Sequence, residues 1–213
     1  MNDLWHPIWV SLETACIATL VSVLIGVPCG YALAMRSFRG RHALITLLNT
    51  LLAVPTVVVG LFVYMLIARR APLGPLGLLF SVPAMIIGQA LLALPIVVVL
   101  AHAAFAAVEQ GARETALTLG AGPGAVTLTL IREARFGLMA AVTATFGRLI
   151  GEVGISMMLG GNIAGYTRTM TTAIALETSK GEFALGMRLG GILLAIALVV
   201  NLMFKYFQGR GEA

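Results

Sequence analysis

Long uncharged apolar runs alternate along this chain with short segments that carry the charges. Residues 14–35 contain no Asp, Glu, Lys or Arg, and neither do residues 43–68. Each run is long enough for a bilayer crossing, which takes about 20 apolar residues. Residues 71–108 are equally free of those charges but too long for one crossing. The start of that run, "APLGPLGLLFSVP", has the Pro and Gly of a loop or short surface helix, which leaves a crossing at about 82–107. A fourth crossing is predicted at about 136–160. A fifth is predicted at about 183–207, with Arg188 near its start. The pattern predicts an all-α membrane protein of about five transmembrane helices in a single domain, residues 1–213.

Composition agrees with the pattern. Apolar residues make up 59% of the chain and charged residues 11%, against about a quarter charged in a soluble domain. The surface must therefore face something other than water, and the lipid bilayer is the first partner implied. The net charge of +5 reads as loop asymmetry rather than as a nucleic-acid footprint. Cys16 and Cys29 both fall in the first span, roughly 20 Å apart on a helix, so they cannot pair there. No disulfide framework or metal site is suggested. The start, "MNDLWHPIWV", lacks the basic region of a secretory signal, so the first span is expected to be retained. Trp5 and Trp9 are expected as interfacial anchors.

Lys and Arg set the expected orientation. With the N-terminus outside, the inner segments hold Arg36, Arg39, Arg41, Arg113, Arg132, Arg135, Lys205 and Arg210. The outer segments hold Arg69, Arg70, Arg168 and Lys180. Positive charge gathers on the cytoplasmic side. Segment 109–135 is then cytoplasmic, segment 161–182 external, and the C-terminus cytoplasmic.

The cytoplasmic segment, "VEQGARETALTLGAGPGAVTLTLIREA", has a helical first half that Gly120, Gly122, Pro123 and Gly124 break sharply. Two readings fit the periodicity. One is a helix–turn–helix knob lying at the membrane surface, and the other is a solvated loop. The segment resembles the EAA loop of ATP-binding-cassette importer permeases: Glu-Ala-Ala, three residues, Gly, nine residues, Ile, one residue, Leu-Pro. Glu114-Thr115-Ala116 stands for Glu-Ala-Ala, Gly120 is in place, and Leu130 replaces Ile. Arg132-Glu133 replaces the closing Leu-Pro. The resemblance implies a coupling helix docked in a groove of a cytoplasmic ATPase. Glu114, Thr115, Ala116 and Gly120 are the implied contacts, and the small Ala121 allows close approach.

The C-terminal third is similar to tungstate-type permeases of the same class. Gly151-Glu152-Val153-Gly154, Gly160-Gly161-Asn162-Ile163, Thr167-Arg168-Thr169, Thr171-Thr172-Ala173-Ile174 and Leu176-Glu177-Thr178-Ser179 carry the likeness. Molybdate and sulfate permeases share the first element and diverge afterwards. The resemblance implies the membrane subunit of a binding-protein-dependent importer of an oxyanion, tungstate first, with molybdate or sulfate as the alternative. It also implies a homodimer, two copies of the ATPase subunit and an external substrate-binding protein, in the cell (inner) membrane.

The residues can also be weighed without that name. Arg148 and Glu152 lie four apart in the fourth span, on one helix face. A charge at mid-membrane costs at least ~2.5 kcal/mol, so both should face a partner helix or an aqueous path. Either they fix helix packing as a pair, or Arg148 lies on a translocation path where two-fold symmetry presents two guanidinium groups to a dianion. The outer segment "GGNIAGYTRTMTT" supplies Asn162, Thr167, Arg168, Thr169, Thr171 and Thr172. Neutral donors hold oxyanions without a deep charge trap, so these residues are candidates for a gate. The other reading is a re-entrant or surface loop that docks a binding protein.

Pro55 and Pro95 read as helix kinks, and His102 and the ten methionines as packing. No GxxxxGK[ST] loop is present, so ATP hydrolysis belongs to a separate subunit. No nucleophile–base pair or metal-ligand constellation supports catalysis, and no cofactor is expected. The alternative class is an intramembrane enzyme or a membrane scaffold, which would need such a constellation or would tolerate change at Glu114.

Overall fold

The computed structural model describes residues 5–108, 118, 120 and 122–209. Among them the chain is helical throughout: α1 (Trp5–Met35), α2 (Arg41–Leu51), α3 (Thr56–Ile67), a 3₁₀ turn at Gly74–Leu76 and α4 (Val82–Ala106). There follow α5 (Pro123–Glu133), α6 (Arg135–Ile150), α7 (Gly154–Gly160), α8 (Met170–Ser179) and α9 (Phe183–Gly209). Helices α1, α4 and α9 are each long and apolar enough to cross a bilayer. The pairs α2–α3 and α6–α7, bent by 99° and 59°, bring the number to five if each pair is one span. The apolar runs at 43–68 and 136–160 are thus bent helix pairs rather than straight helices.

Pro55 is where the first of these breaks. It caps α3 in an extended conformation, and α2 before it buries no side chain, so no packing holds the two halves in line. Pro95 lies inside α4 without ending it. Around it Leu92, Ala93, Val97 and Val98 are buried, and packing of that kind re-supports a helix that has lost one backbone bond. The second break falls at Gly151–Val153, between α6 and α7.

The centre of the molecule is the contact between α1 and α4, which run parallel. Ser22 Oγ donates to the Ala90 carbonyl at 3.1 Å, Gly26 faces Val97, and Gly30 faces Ala101. Each step down α1 is therefore matched by a step down α4. Lipid tails are as apolar as Leu, so helices in a bilayer associate by close packing at small residues. Gly26 and Gly30 supply that packing. A Cβ on Gly26 would stand 2.7 Å from Val97 Cγ1, and one on Gly30 2.8 Å from the His102 backbone nitrogen. The spacing Gly-x-x-x-Gly was a sequence signal for this seam. Helix pair α6–α7 runs the opposite way, with Gly137 against Ala104 and Gly160 against Met85.

This arrangement gives the molecule two ends, separated by the length of α4, about 37 Å for its 25 residues. One end gathers the starts of α1 and α4 with α7 and the start of α8. The other gathers the ends of α1 and α4 with α5 and the start of α6.

Candidate functional site

At the first end the site is built around the break between α6 and α7. Arg148 lies in the last turn of α6. Glu152 is not on that helix but in the break, where its N–H still donates to the Leu149 carbonyl at 3.0 Å. The two side chains meet: Arg148 Nη1 donates to Glu152 Oε2 at 2.8 Å. Their exposures are unequal, 44% for the Arg148 side chain and 2% for that of Glu152. The other carboxylate oxygen, Oε1, accepts from the Ile155 N–H at 3.2 Å, and the Glu152 carbonyl accepts from Thr171 Oγ1 at 2.8 Å. Glu152 thus joins α6, α7 and α8 through one residue.

Burying a carboxylate is costly unless charge and hydrogen bonds compensate it, and here each oxygen has a donor. Arg148 is the outward half of the pair. A guanidinium carries five N–H donors; among the described residues one bond occupies it, and the rest open on the exposed face. Chemically this is a cation held in place from behind, with donors left for an anion in front.

The hydroxyls of the following segment are arranged differently from a row of open donors. Thr167 Oγ1 donates to the Gly160 carbonyl and accepts from the Ile163 N–H at 3.0 Å, which closes the turn. Thr169 and Thr172 cap each other at the start of α8: the Thr172 N–H donates to Thr169 Oγ1 at 3.2 Å, and the Thr169 N–H to Thr172 Oγ1 at 3.0 Å. Thr167, Thr169, Thr171 and Thr172 are all buried, and their side-chain bonds stay within the chain. Only Asn162 and Arg168 of this set reach the surface in part. Arg168 Nε donates to Asn162 Oδ1 at 3.1 Å, and Asn162 itself takes a left-handed φ of 52°. Segment 161–182 is therefore a folded turn followed by a docked helix.

Two contributors to this end were not singled out in the sequence. Ser11 Oγ accepts from the Met170 N–H at 2.8 Å, which pins α8 to α1. Gln89, buried in α4, donates from Nε2 to Ser156 Oγ at 3.3 Å. A lone amide in an otherwise apolar crossing was the available signal for it. Ser11→Ala would strand the buried Met170 N–H and is expected to cost about 1–3 kcal/mol, read as a lower midpoint of thermal unfolding in detergent. Ser22→Ala is the comparison. Its partners are carbonyls in helices, so the midpoint should move less.

At the second end, Glu114, Thr115, Ala116 and Ala121 lie outside the described residues. Gly120 is described: it is exposed, with φ 76°, and a Cβ there would meet nothing within 4 Å. The left-handed φ is the conformation that glycine adopts without strain. Beyond Gly122, α5 is held at the membrane-facing body by Tyr31, whose hydroxyl lies 3.0 Å from Thr127 Oγ1. Tyr31 also packs edge-on against Phe105. Arg132 and Glu133, which stand where the EAA pattern has Leu-Pro, are the exposed last residues of α5. Nearby, His102 contributes more than packing, since its Nε2 lies 3.3 Å from Arg41 Nη2.

Comparison with known proteins places this geometry. Residues 23–210 match the profile of the binding-protein-dependent transport system inner membrane component family. A probable anion ABC transporter permease protein of Haloferax volcanii is 39% identical, over 94% of this chain and 89% of its own. The tungstate uptake system permease protein TupB of Campylobacter jejuni is 43% identical, over 77% of this chain and 69% of its own. Among solved structures, the inward-facing MetNI methionine ABC transporter superposes with a TM-score of 0.82 at 18% identity, over 99% of this chain and 96% of that one. That likeness shows the fold alone.

Proposed function

Since the chain belongs to the binding-protein-dependent transport system inner membrane component family, we propose that it is a transporter membrane subunit rather than an enzyme, the permease of an oxyanion importer with tungstate as the cargo. The supporting observation is Arg148, a half-exposed guanidinium fixed by a buried carboxylate at a helix break. In a homodimer a two-fold axis beside this face sets two such groups around one dianion. Charge-assisted bonds from arginine to an oxyanion are short and strong, yet the exposed face leaves water to compete. That weakness suits a permease, which must release what it binds. Relatives whose names give tungstate or molybdenum as cargo support the anion class, and the higher identity of the former favours tungstate.

In this reading the N-terminus faces outside and the C-terminus the cytoplasm. An external binding protein delivers the anion at the end formed by α7 and α8. Two copies of an ATPase subunit grip segment 109–135 at the other end, through Glu114, Thr115, Ala116, Gly120 and Ala121. The buried threonines Thr167, Thr169, Thr171 and Thr172 serve by making the outer turn a rigid block, with Asn162 and Arg168 at its rim. ATP-driven closure of the two ATPases pulls the coupling segments together, and the bodies they are anchored to switch the side that is open.

The test is uptake of trace tungstate by a deletion strain carrying the wild type or Glu114→Arg. A reversed charge in the docking groove should lower uptake by about tenfold or more, the equivalent of 1.4 kcal/mol of lost docking. Excess molybdate should compete and excess sulfate should not. Equal uptake with Glu114→Arg would refute the coupling assignment, and competition by sulfate would refute the anion.

A further inference from the structure

Helices α1, α2, α3 and α4 enclose an open groove of about 1080 Å³. Its walls are apolar along their length: Leu44 and Leu48 from α2, Val58 from α3, and Pro95 from α4. At one end the lining changes to Arg36 and Ser37, in the short segment joining α1 to α2. Arg39, in the same segment, is also exposed. The third arginine of the cluster, Arg41, is already used. Its Nε donates to the Leu33 carbonyl at 2.9 Å, and its Nη2 faces His102, which ties the start of α2 to α1 and α4.

Among the described residues no carboxylate pairs with the charge at that mouth. From residue 14 to residue 108 the chain has no Asp or Glu, and among the described residues neither Arg36 nor Arg39 has an ion-pair partner. An occupant must therefore offer a long apolar body and an anionic head at one end. A protein segment would have to bring both features from elsewhere. The bilayer around the protein supplies them joined in one molecule, and basic pockets between transmembrane helices hold phospholipid head groups.

We propose that this groove binds an anionic phospholipid, its phosphate on Arg36 and Arg39 and its acyl chains along α2, α3 and α4. Neither Arg148 nor Glu152 lines the groove, and the proposal does not depend on which anion is transported. Two arginines at a membrane surface correspond to a preference of about tenfold or more for an anionic over a zwitterionic lipid.

The test uses the reconstituted transporter in phosphatidylcholine vesicles, with Trp5→Phe and Trp9→Phe to clear the background and Leu48→Trp as reporter. A small fraction of dibrominated phosphatidylglycerol or dibrominated phosphatidylcholine is the quencher. Leu194→Trp, on the exposed face of α9, reports ordinary surrounding lipid, and Leu44→Trp is the second groove reporter should Leu48→Trp fold poorly. The expected result is about tenfold stronger quenching by phosphatidylglycerol at the groove only, abolished by Arg36→Gln with Arg39→Gln. Equal quenching by the two lipids at the groove reporter would overturn the proposal. So would an absence of quenching by either, which would mean that protein, such as a second copy of the chain, fills the groove.

Discussion

Arg148→Gln is expected to lower tungstate uptake by about 100-fold or more. Each charge-assisted hydrogen bond to an anion is worth about 1.5–3 kcal/mol, and a homodimer loses one set from each copy. The variant also strands Glu152, whose side chain is 2% exposed. Breaking a buried pair by removing one partner costs about 3–5 kcal/mol. Here the cost should be nearer 2 kcal/mol, because Arg148 is half in solvent and the Ile155 N–H still serves one oxygen. A second variant separates the two effects. Arg148→Gln with Glu152→Gln removes both charges while keeping amide groups of similar shape. It should recover most of the thermal midpoint in detergent and none of the uptake. If the double variant transports like the wild type, the pair is a packing device and the path lies elsewhere.

The second large effect concerns the α1–α4 seam. Gly30→Val places a branched side chain where a Cβ already stands 2.7 Å from Ala101 Cβ, 2.8 Å from the His102 nitrogen and 2.9 Å from the Val98 carbonyl oxygen. Two of these atoms belong to the backbone of α4, so no rotamer change relieves the clash. Adding even one group to a tight core costs about 1–3 kcal/mol, and the branched side chain adds more at the same point. Little monodisperse protein should survive size-exclusion in detergent. Gly190→Ala is the control: a Cβ there meets nothing within 4 Å, and alanine favours the helix by about 1 kcal/mol over glycine. If the two variants ran alike, the seam would not be what holds the bundle.

The fold was legible to the extent that apolar length reports it. Run 82–107 becomes α4 almost residue for residue and run 14–35 ends where α1 ends, because a crossing helix must satisfy its own backbone wherever it lies. Helix α1 begins nine residues before its run, at Trp5. Direction is what the runs do not encode. Pro55 and Pro95 look alike in sequence, and only the surroundings decide that one opens a 99° bend while the other rides inside a packed helix. The same limit governs the candidate site. Arg148 and Glu152 were found from charge in an apolar run, where cost alone marks them. The threonines of 167–172 were found from composition, which counts hydroxyls without showing where they point. Thr169 three residues before Thr172 was readable as a helix cap, and that is the role their geometry gives them. The contacts of Ser11 and of Tyr31 with Thr127 span 159 and 96 residues, and nothing local announces them.

The length of α1 has a mechanical consequence. Its 31 residues rise about 46 Å, against a hydrocarbon slab of about 30 Å. The exposed indoles of Trp5 and Trp9 sit at its first turns, and such rings settle at the headgroup level. With that end moored, the surplus is taken up by tilt or emerges at the other end, where Tyr31 grips α5. The helix is thus a mast as well as a wall: under the proposed coupling role of segment 109–135, it carries that segment's foothold clear of the oily slab. Motion there meets the drag of water rather than that of crowded acyl chains.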